Sequence, residues 1–167
     1  SFKEANALLK WKASLQNPNN SILTSWTLPP NNATNSSTHS RTSASPCTWF
    51  GVSCIDGTVN RLNLTNSSVK GTIYDFSFSS LPNLEYIDLS MNELFGTIPP
   101  QFSSLSKLRY LDLSINQFSG IIPPEVGLLT NLETLHIVQN QLNGSIPQEI
   151  GNLKSLSELA LYTNNLS

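Results

Sequence analysis

Leu84, Leu108, Leu132 and Leu156 head four copies of L-x-x-[LI]-x-[LI]-x-x-N-x-[LF], spaced 24 residues apart. Each complete copy continues G-x-I-P-x-x-[FVI]-x-x-L. A fixed period in the twenties specifies a stack of one supersecondary unit, a solenoid, in which each unit buries its apolar face only against its neighbours. Solenoids act mainly by presenting an extended surface, so a binding face is expected before a catalytic centre.

Within each unit the strict alternation at the end of L-x-x-L-x-L predicts a short strand. Stacked strands would form a parallel sheet with Leu and Ile turned inward. Asn92, Asn116, Asn140 and Asn164 follow each strand. An amide there can both donate to and accept from the backbone of adjacent coils, satisfying groups that the turn would otherwise leave unpaired. These four are expected to be structural. Gly96, Gly120 and Gly144 suit a tight bend, and Pro99, Pro123 and Pro147 suit an extended return segment. This return half is the wider one, which places the sheet on the inner, concave side. An earlier, irregular unit runs from Val59, with Ser67 in place of Asn and Tyr74 in place of Pro.

Residues 3 to 16 read as a helix, stopped by Asn17-Pro18-Asn19-Asn20, and Ile22 to Trp26 as a second, shorter one. Two helices there would cap the first repeat. The domain reading is a cap over 1–58, including a mobile loop at 28–46 rich in Asn, Ser, Thr and Pro, and about 4.5 repeats over 59–167. The segment Cys47 to Cys54 would form the wall on which the first strand lies.

Charged residues make up only 12% of the chain and the net charge is −2, so there is no electrostatic footprint for nucleic acid or anionic lipid. No apolar run has the length of a membrane span. Cys47 and Cys54 are the only cysteines and have no partners at zinc spacing, so no metal is expected. They read as a disulfide, with two reduced thiols as the alternative. N-x-[ST] sequons occur at Asn19, Asn32, Asn35, Asn63, Asn66, Asn143 and Asn165. Together with a closed cysteine pair they favour the secretory pathway.

With these motifs in hand, the sequence resembles the extracellular domain of plant leucine-rich-repeat receptor kinases. The repeat half Gly96-Thr97-Ile98-Pro99, Gly120-Ile121-Ile122-Pro123 and Gly144-Ser145-Ile146-Pro147 carries the plant-type signature. Glu4 to Lys12, Ser25-Trp26 and Pro46 to Cys54 match the family's cap. Within the family the strings EANALLKWK, RLNLTN and FSSLPNL are most similar to the male-discoverer-interacting receptor-like kinases. The fold implied is an α/β solenoid, a leucine-rich-repeat horseshoe with a helical, disulfide-linked cap. The resemblance further implies recognition of a secreted peptide or other apoplastic ligand, pairing with a shorter leucine-rich-repeat co-receptor kinase, and no cofactor. Membrane attachment and the kinase would lie in a downstream segment, since neither H-R-D nor D-F-G occurs in this chain.

Register arranges the solvent-facing strand positions in columns. They are Arg61, Tyr86, Tyr110, Thr134, Glu158; Asn63, Asp88, Asp112, His136, Ala160; Thr65, Ser90, Ser114, Val138, Tyr162; and Asn66, Met91, Ile115, Gln139, Thr163. Tyr86 and Tyr110 beside Asp88, Asp112 and Arg109, with Thr134 and His136, form the expected ligand surface, because aromatics with nearby charge are what binding hot spots favour. The carboxylates are expected to flank a basic side chain such as Arg109 or to bind a cationic group of a ligand, and His136 to be a lone exposed histidine. Acid/base chemistry by Asp88 and Asp112 is set aside for want of an enclosed pocket and a third group. Sugars on Asn63 and Asn66 would cover the first repeat's concave face. The chain reads as C-terminally truncated, with Leu156, Leu159, Leu161 and Leu166 bordering water and open to end-to-end self-association. The alternative reading is a free-standing secreted repeat protein, an inhibitor of a microbial wall-degrading enzyme or a decoy. A wall- or ice-associated surface would need columns of identical side chains, and these columns are mixed.

Overall fold

The structure, a computed structural model, describes residues 1–28 and 45–167. The stretch expected as a loop at 28–46 falls, apart from its ends, outside them, as do the sequons Asn32 and Asn35 and His39.

The chain opens with α1 (Phe2–Ser14), begun by a capping box in which Ser1 and Glu4 serve each other's backbone. One side of α1 buries Ala5, Leu8 and Trp11 completely. The second helix expected at Ile22–Trp26 is a single turn, Ser21–Leu23, capped by Asn20, whose Oδ1 accepts from the Ile22 amide at 2.8 Å. Its purpose is packing: Leu23 and Trp26 are fully buried.

Among the described residues eleven strands follow: β1 (Val52–Ile55), β2 (Thr58–Asn63), β3 (Lys70–Gly71), β4 (Tyr86–Asp88), β5 (Glu93–Thr97), β6 (Tyr110–Asp112), β7 (Gln117–Gly120), β8 (Thr134–His136), β9 (Gln141–Gly144), β10 (Glu158–Ala160) and β11 (Asn165–Leu166). They form two sheets. The inner one has the order β1-β2-β4-β6-β8-β10. It is parallel except that β1 runs antiparallel to β2, with Ser53 opposite Arg61. Residues Cys47–Cys54 are thus not merely a wall: they end in a strand that extends the sheet. The expected pairing of Tyr86 with Tyr110 with Thr134 with Glu158 is the observed register.

The second sheet, in the order β11-β9-β7-β5-β3, is absent from the sequence reading. It occupies the start of each return segment, where Gly96, Gly120 and Gly144 take φ of +81°, +77° and +74°. A left-handed backbone at a fixed place in every coil explains the glycine. The following prolines hold extended backbone (Pro99 ψ 137°, Pro123 ψ 134°), and tight helical turns at Pro100–Ser104, Pro124–Leu128 and Gln148–Asn152 close each coil. The result is a leucine-rich-repeat α/β solenoid, a horseshoe with its parallel sheet on the concave face.

One core runs the length of the stack. Inside the cap it is aromatic: Trp49 stacks on Trp26 at 5.8 Å, Trp26 meets Trp11 at 6.2 Å and Trp11 meets Phe76 at 5.2 Å. Phe76, Phe78 and Phe102 carry it into the repeats, with centroids 4.5 and 4.2 Å apart. Val126 and Ile150 take the Phe102 position in the next coils. Trp11 and Trp26 also satisfy their indole N–H groups, on Thr72 O and Phe50 O, each at 2.9 Å. Glu4 is buried because its Oε2 accepts from the Val59 amide at 2.9 Å, tying α1 to the first parallel strand. Cys47 and Cys54 form a disulfide, which settles the choice left open between a bridge and two thiols.

Asn116 shows how the coils are stitched. Its Nδ2 donates to Leu89 O, Leu113 O and Ser114 O, and its Oδ1 accepts from the Leu94 amide. Asn92 repeats the pattern one coil before, and Asn140 and Asn164 one and two coils after. In the irregular first coil Ser67 stands in the Asn position, and its amide is received by Asn92.

Candidate functional site

Strand alternation turns Leu62, Ile87, Leu111 and Leu135 into the core and leaves their neighbours on the inner face. Parallel pairing without slippage then brings like positions of successive coils together. Tyr86 and Tyr110 lie face to face, with centroids 4.3 Å apart and planes 5° from parallel. The Arg61 guanidinium covers the far side of Tyr86 at 3.8 Å from the ring centroid. On the opposite side His136 meets Tyr110 edge-on at 6.2 Å. His136 Nδ1 lies 3.6 Å from Asp112 Oδ2 and its Nε2 3.0 Å from Glu158 Oε2. The Tyr110 hydroxyl donates to Asp112 Oδ2 at 3.4 Å. One ladder, Arg61–Tyr86–Tyr110–His136–Glu158, therefore runs across the sheet, positive at the cap end and acidic at the other. Thr134 lies half-buried in the same column, between Tyr110 and Glu158.

Burial raises the Tyr110 phenol well above its ordinary value, and the nearby charges of Asp112 and Asp88 push it further. The phenol stays neutral and keeps its proton as a donor.

Several expectations change here. His136 is not a lone histidine: it bridges two carboxylates. Asp88 and Asp112 do not flank Arg109. Asp88 is buried, and its Oδ1 accepts from the Ser90 amide at 2.9 Å and the Ser90 hydroxyl at 2.6 Å. Asp112 Oδ1 likewise accepts from the Ser114 amide at 2.9 Å. One oxygen of each therefore holds the turn after its strand. Arg109 lies one position earlier, on the flank, and grips Glu133 through Nε at 2.7 Å and an Nη at 3.3 Å. That hydrogen bond holds the Glu133 carboxyl below the usual carboxylate range and raises the guanidinium further. Glu85, Lys107, Asn131 and Ser155 surround the pair in an open concavity of about 310 Å³.

The third and fourth columns are not ligand-facing strand positions throughout. Ser90 and Ser114 are buried. Asn66, Met91, Ile115, Gln139 and Thr163 sit in the turn past the strand with φ between +51° and +60°. From there the Asn66, Met91, Ile115 and Gln139 amides donate to the next coil. Asn66 is accordingly exposed on a turn, whereas Asn63 belongs to the inner face, its Oδ1 accepting from the Thr65 amide at 3.1 Å and hydroxyl at 2.6 Å. Asn63 thus occupies the turn-holding role of Asp88 and Asp112. Asn19, Asn143 and Asn165 are exposed.

Two features have no counterpart among the expected site residues. Arg61 had a place in its column, but the Tyr86 platform needed the parallel register to be seen. Phe50, 46% exposed at the cap edge, has no repeat position to mark it.

The family model for the leucine-rich-repeat N-terminal domain matches residues 3–55, and leucine-rich-repeat models match 58–118 and 131–153. The chain is similar to the BIR2 ectodomain from Arabidopsis thaliana, with 32% identity, a TM-score of 0.82, and coverage of 98% of this chain and 81% of that one. The chain belongs to the leucine-rich-repeat family, as an ectodomain of the plant receptor-like kinase type. It is also 52% identical over 99 residues to MDIS1-interacting receptor like kinase 2 of Arabidopsis thaliana, a match covering 59% of this chain and 8% of that protein. A third likeness is to the Arabidopsis receptor kinase HAESA, solved in complex with the peptide hormone IDA and the co-receptor SERK1. Identity there is 29% and the TM-score 0.68, with coverage of 99% of this chain and 30% of that one.

Proposed function

We propose that this chain is a ligand-recognising extracellular segment of a cell-surface receptor kinase, acting at the apoplastic face of the plasma membrane. Its ligand is a secreted peptide laid across the inner sheet, and a shorter leucine-rich-repeat kinase is its co-receptor. Residues 1–58 act as the cap and 59–167 as the recognition stack. The observation that carries the reading is the ladder from Arg61 to Glu158: a continuous row of aromatic and charged side chains lies outside a core that is already filled. The peptide and co-receptor in the HAESA complex support it by family likeness. Contact falls on Tyr86, Tyr110, Asp112, Thr134 and His136, with Asp88 partly withdrawn to its turn and Arg109 on the flank.

The test uses fluorescent secreted-type peptides of six to twelve residues on three chains. Tyr110→Ala and Thr134→Lys alter the inner face without entering the core, and each should weaken binding by about tenfold or more. Leu128→Lys, on an outer turn and 64% exposed, should leave it unchanged. Equal loss in all three, or none in the inner-face pair, counts against the reading.

A further inference from the structure

At the junction of cap and first coil lies an open concavity of about 400 Å³ lined by Phe50, Gly51, Val52, Ser53, Arg61, Asn63 and Thr65. Among the described residues, no carboxylate lies within ion-pair distance of Arg61. Its guanidinium also makes no side-chain hydrogen bond there, while its Tyr86 platform is itself held by Tyr110. The other repeat arginine, Arg109, is consumed by Glu133. A cation fixed on an aromatic face, with its donors unengaged, is already ordered for an anion, and the planar fork of arginine matches a carboxylate in two parallel hydrogen bonds.

The surroundings are built rather than incidental. Phe50 is pinned by its backbone, its amide donating to Ser25 Oγ at 2.8 Å and its carbonyl accepting from Trp26 Nε1 at 2.9 Å. Its ring remains exposed at the rim. Ser53 sits opposite Arg61 on β1, and Asn63 and Thr65 add polar groups. Further along the same face stand Asp112, on β6 two strands from Arg61, and Glu158, on β10 at the far end. Four strand spacings, roughly 19 Å, separate β2 from β10, the reach of about six extended residues.

We propose that this junction is a carboxylate-recognising subsite. Arg61 binds a carboxylate of the peptide, Phe50 covers the adjoining apolar side chain, and the peptide's cationic portion lies towards Asp112 and Glu158. The assignment rests on the peptide-binding reading above and adds the ligand's chemistry and direction to it.

The experiment uses the whole 167-residue chain made in a bacterial periplasm, which closes the Cys47–Cys54 bridge and adds no sugar to Asn63. It is presented with random hexapeptides in three forms. One has a free C-terminal carboxylate and no Asp or Glu. One is C-terminally amidated with one Asp or Glu. One is amidated with neither. The first or second form should be retained at least fivefold over the third, which tells a terminal from a side-chain carboxylate. That preference should disappear in Arg61→Gln, return in part in Arg61→Lys, and persist in Lys154→Gln, an exposed cation in a turn outside the inner face. Arg61 is exposed, so these variants keep the fold. If peptides bind without preference among the forms, or the preference survives Arg61→Gln, the subsite is overturned while peptide binding stands. If no hexapeptide is retained, both readings fall.

Discussion

At the scale of single residues, the side chains of most consequence each do two things. Asp112 holds the Ser114 amide with one oxygen and faces His136 and the Tyr110 hydroxyl with the other. Gly51 has φ +77°, and a Cβ there would sit 2.4 Å from Asn63 O, so only glycine lets the cap approach the first coil at this point. Tyr110 gives a pH prediction. Its folded pKa is raised by burial and by Asp112 and Asp88, above the ordinary tyrosine value near 10. An acid that stays neutral longer in the folded state contributes stability that is complete below about pH 10 and is lost as pH rises through the raised folded value. Denaturant midpoints should therefore fall above pH 10, and Tyr110→Phe should remove part of that slope. In an ultraviolet titration, the component missing from Tyr110→Phe should be a late-ionising phenol; an ordinary midpoint near 10 would contradict the buried, acid-flanked environment.

At the scale of elements, each strand and its turn form a unit bound to the next by one asparagine. Asn116 is buried and serves three carbonyls and one amide, so Asn116→Ala strips the Leu94 amide of its acceptor and takes one donor from each of Leu89 O, Leu113 O and Ser114 O, which keep Asn92 Nδ2, Asn140 Nδ2 and the Met91 amide. The cost should be about 2–4 kcal/mol. Asn164 makes the corresponding bonds in a coil where Tyr162 and Thr163 are exposed, so water can replace its amide. Asn164→Ala should cost under about 1.5 kcal/mol. Urea unfolding of the two variants checks the order, and equal losses would mean that burial does not set the worth of the ladder. The repeated consensus made these asparagines readable, because a side chain that serves the same backbone gap in every coil recurs at a fixed spacing. The outer sheet was not readable. Glu93–Thr97, Gln117–Gly120 and Gln141–Gly144 mix polar and apolar residues with glycine, and their pairing is imposed by the stacking of coils rather than by a pattern of their own.

At the scale of the molecule, the stack is held by one continuous core whose aromatic half lies in and beside the cap. Burial declines towards the last coil: Leu135 is fully buried, whereas Leu159, its equivalent, is 44% exposed. The disulfide ties the turn Pro46–Thr48 to β1, the edge strand of the inner sheet. Removing it with the Cys47→Ser/Cys54→Ser pair should lower stability by roughly 2–3 kcal/mol, the loop-closure value for so short a loop. Hydrogen exchange should show the loss concentrated around α1, β1 and β2; uniform weakening of all coils would mean that cap and repeats unfold as a single unit.

The sequence by itself determined the repeat, the inner strands, the register of the columns and the asparagine and glycine positions. All of these follow from a backbone requirement renewed every 24 residues, which periodicity exposes. Only the tertiary structure decided which side chains of a column touch. Arg109 and Glu133 found each other on the flank, His136 settled between Asp112 and Glu158, and Arg61 settled on Tyr86. Long side chains on adjacent coils have several partners within reach, and the choice among them is made by packing and charge once the coils are in place, not by the spacing that brought them together.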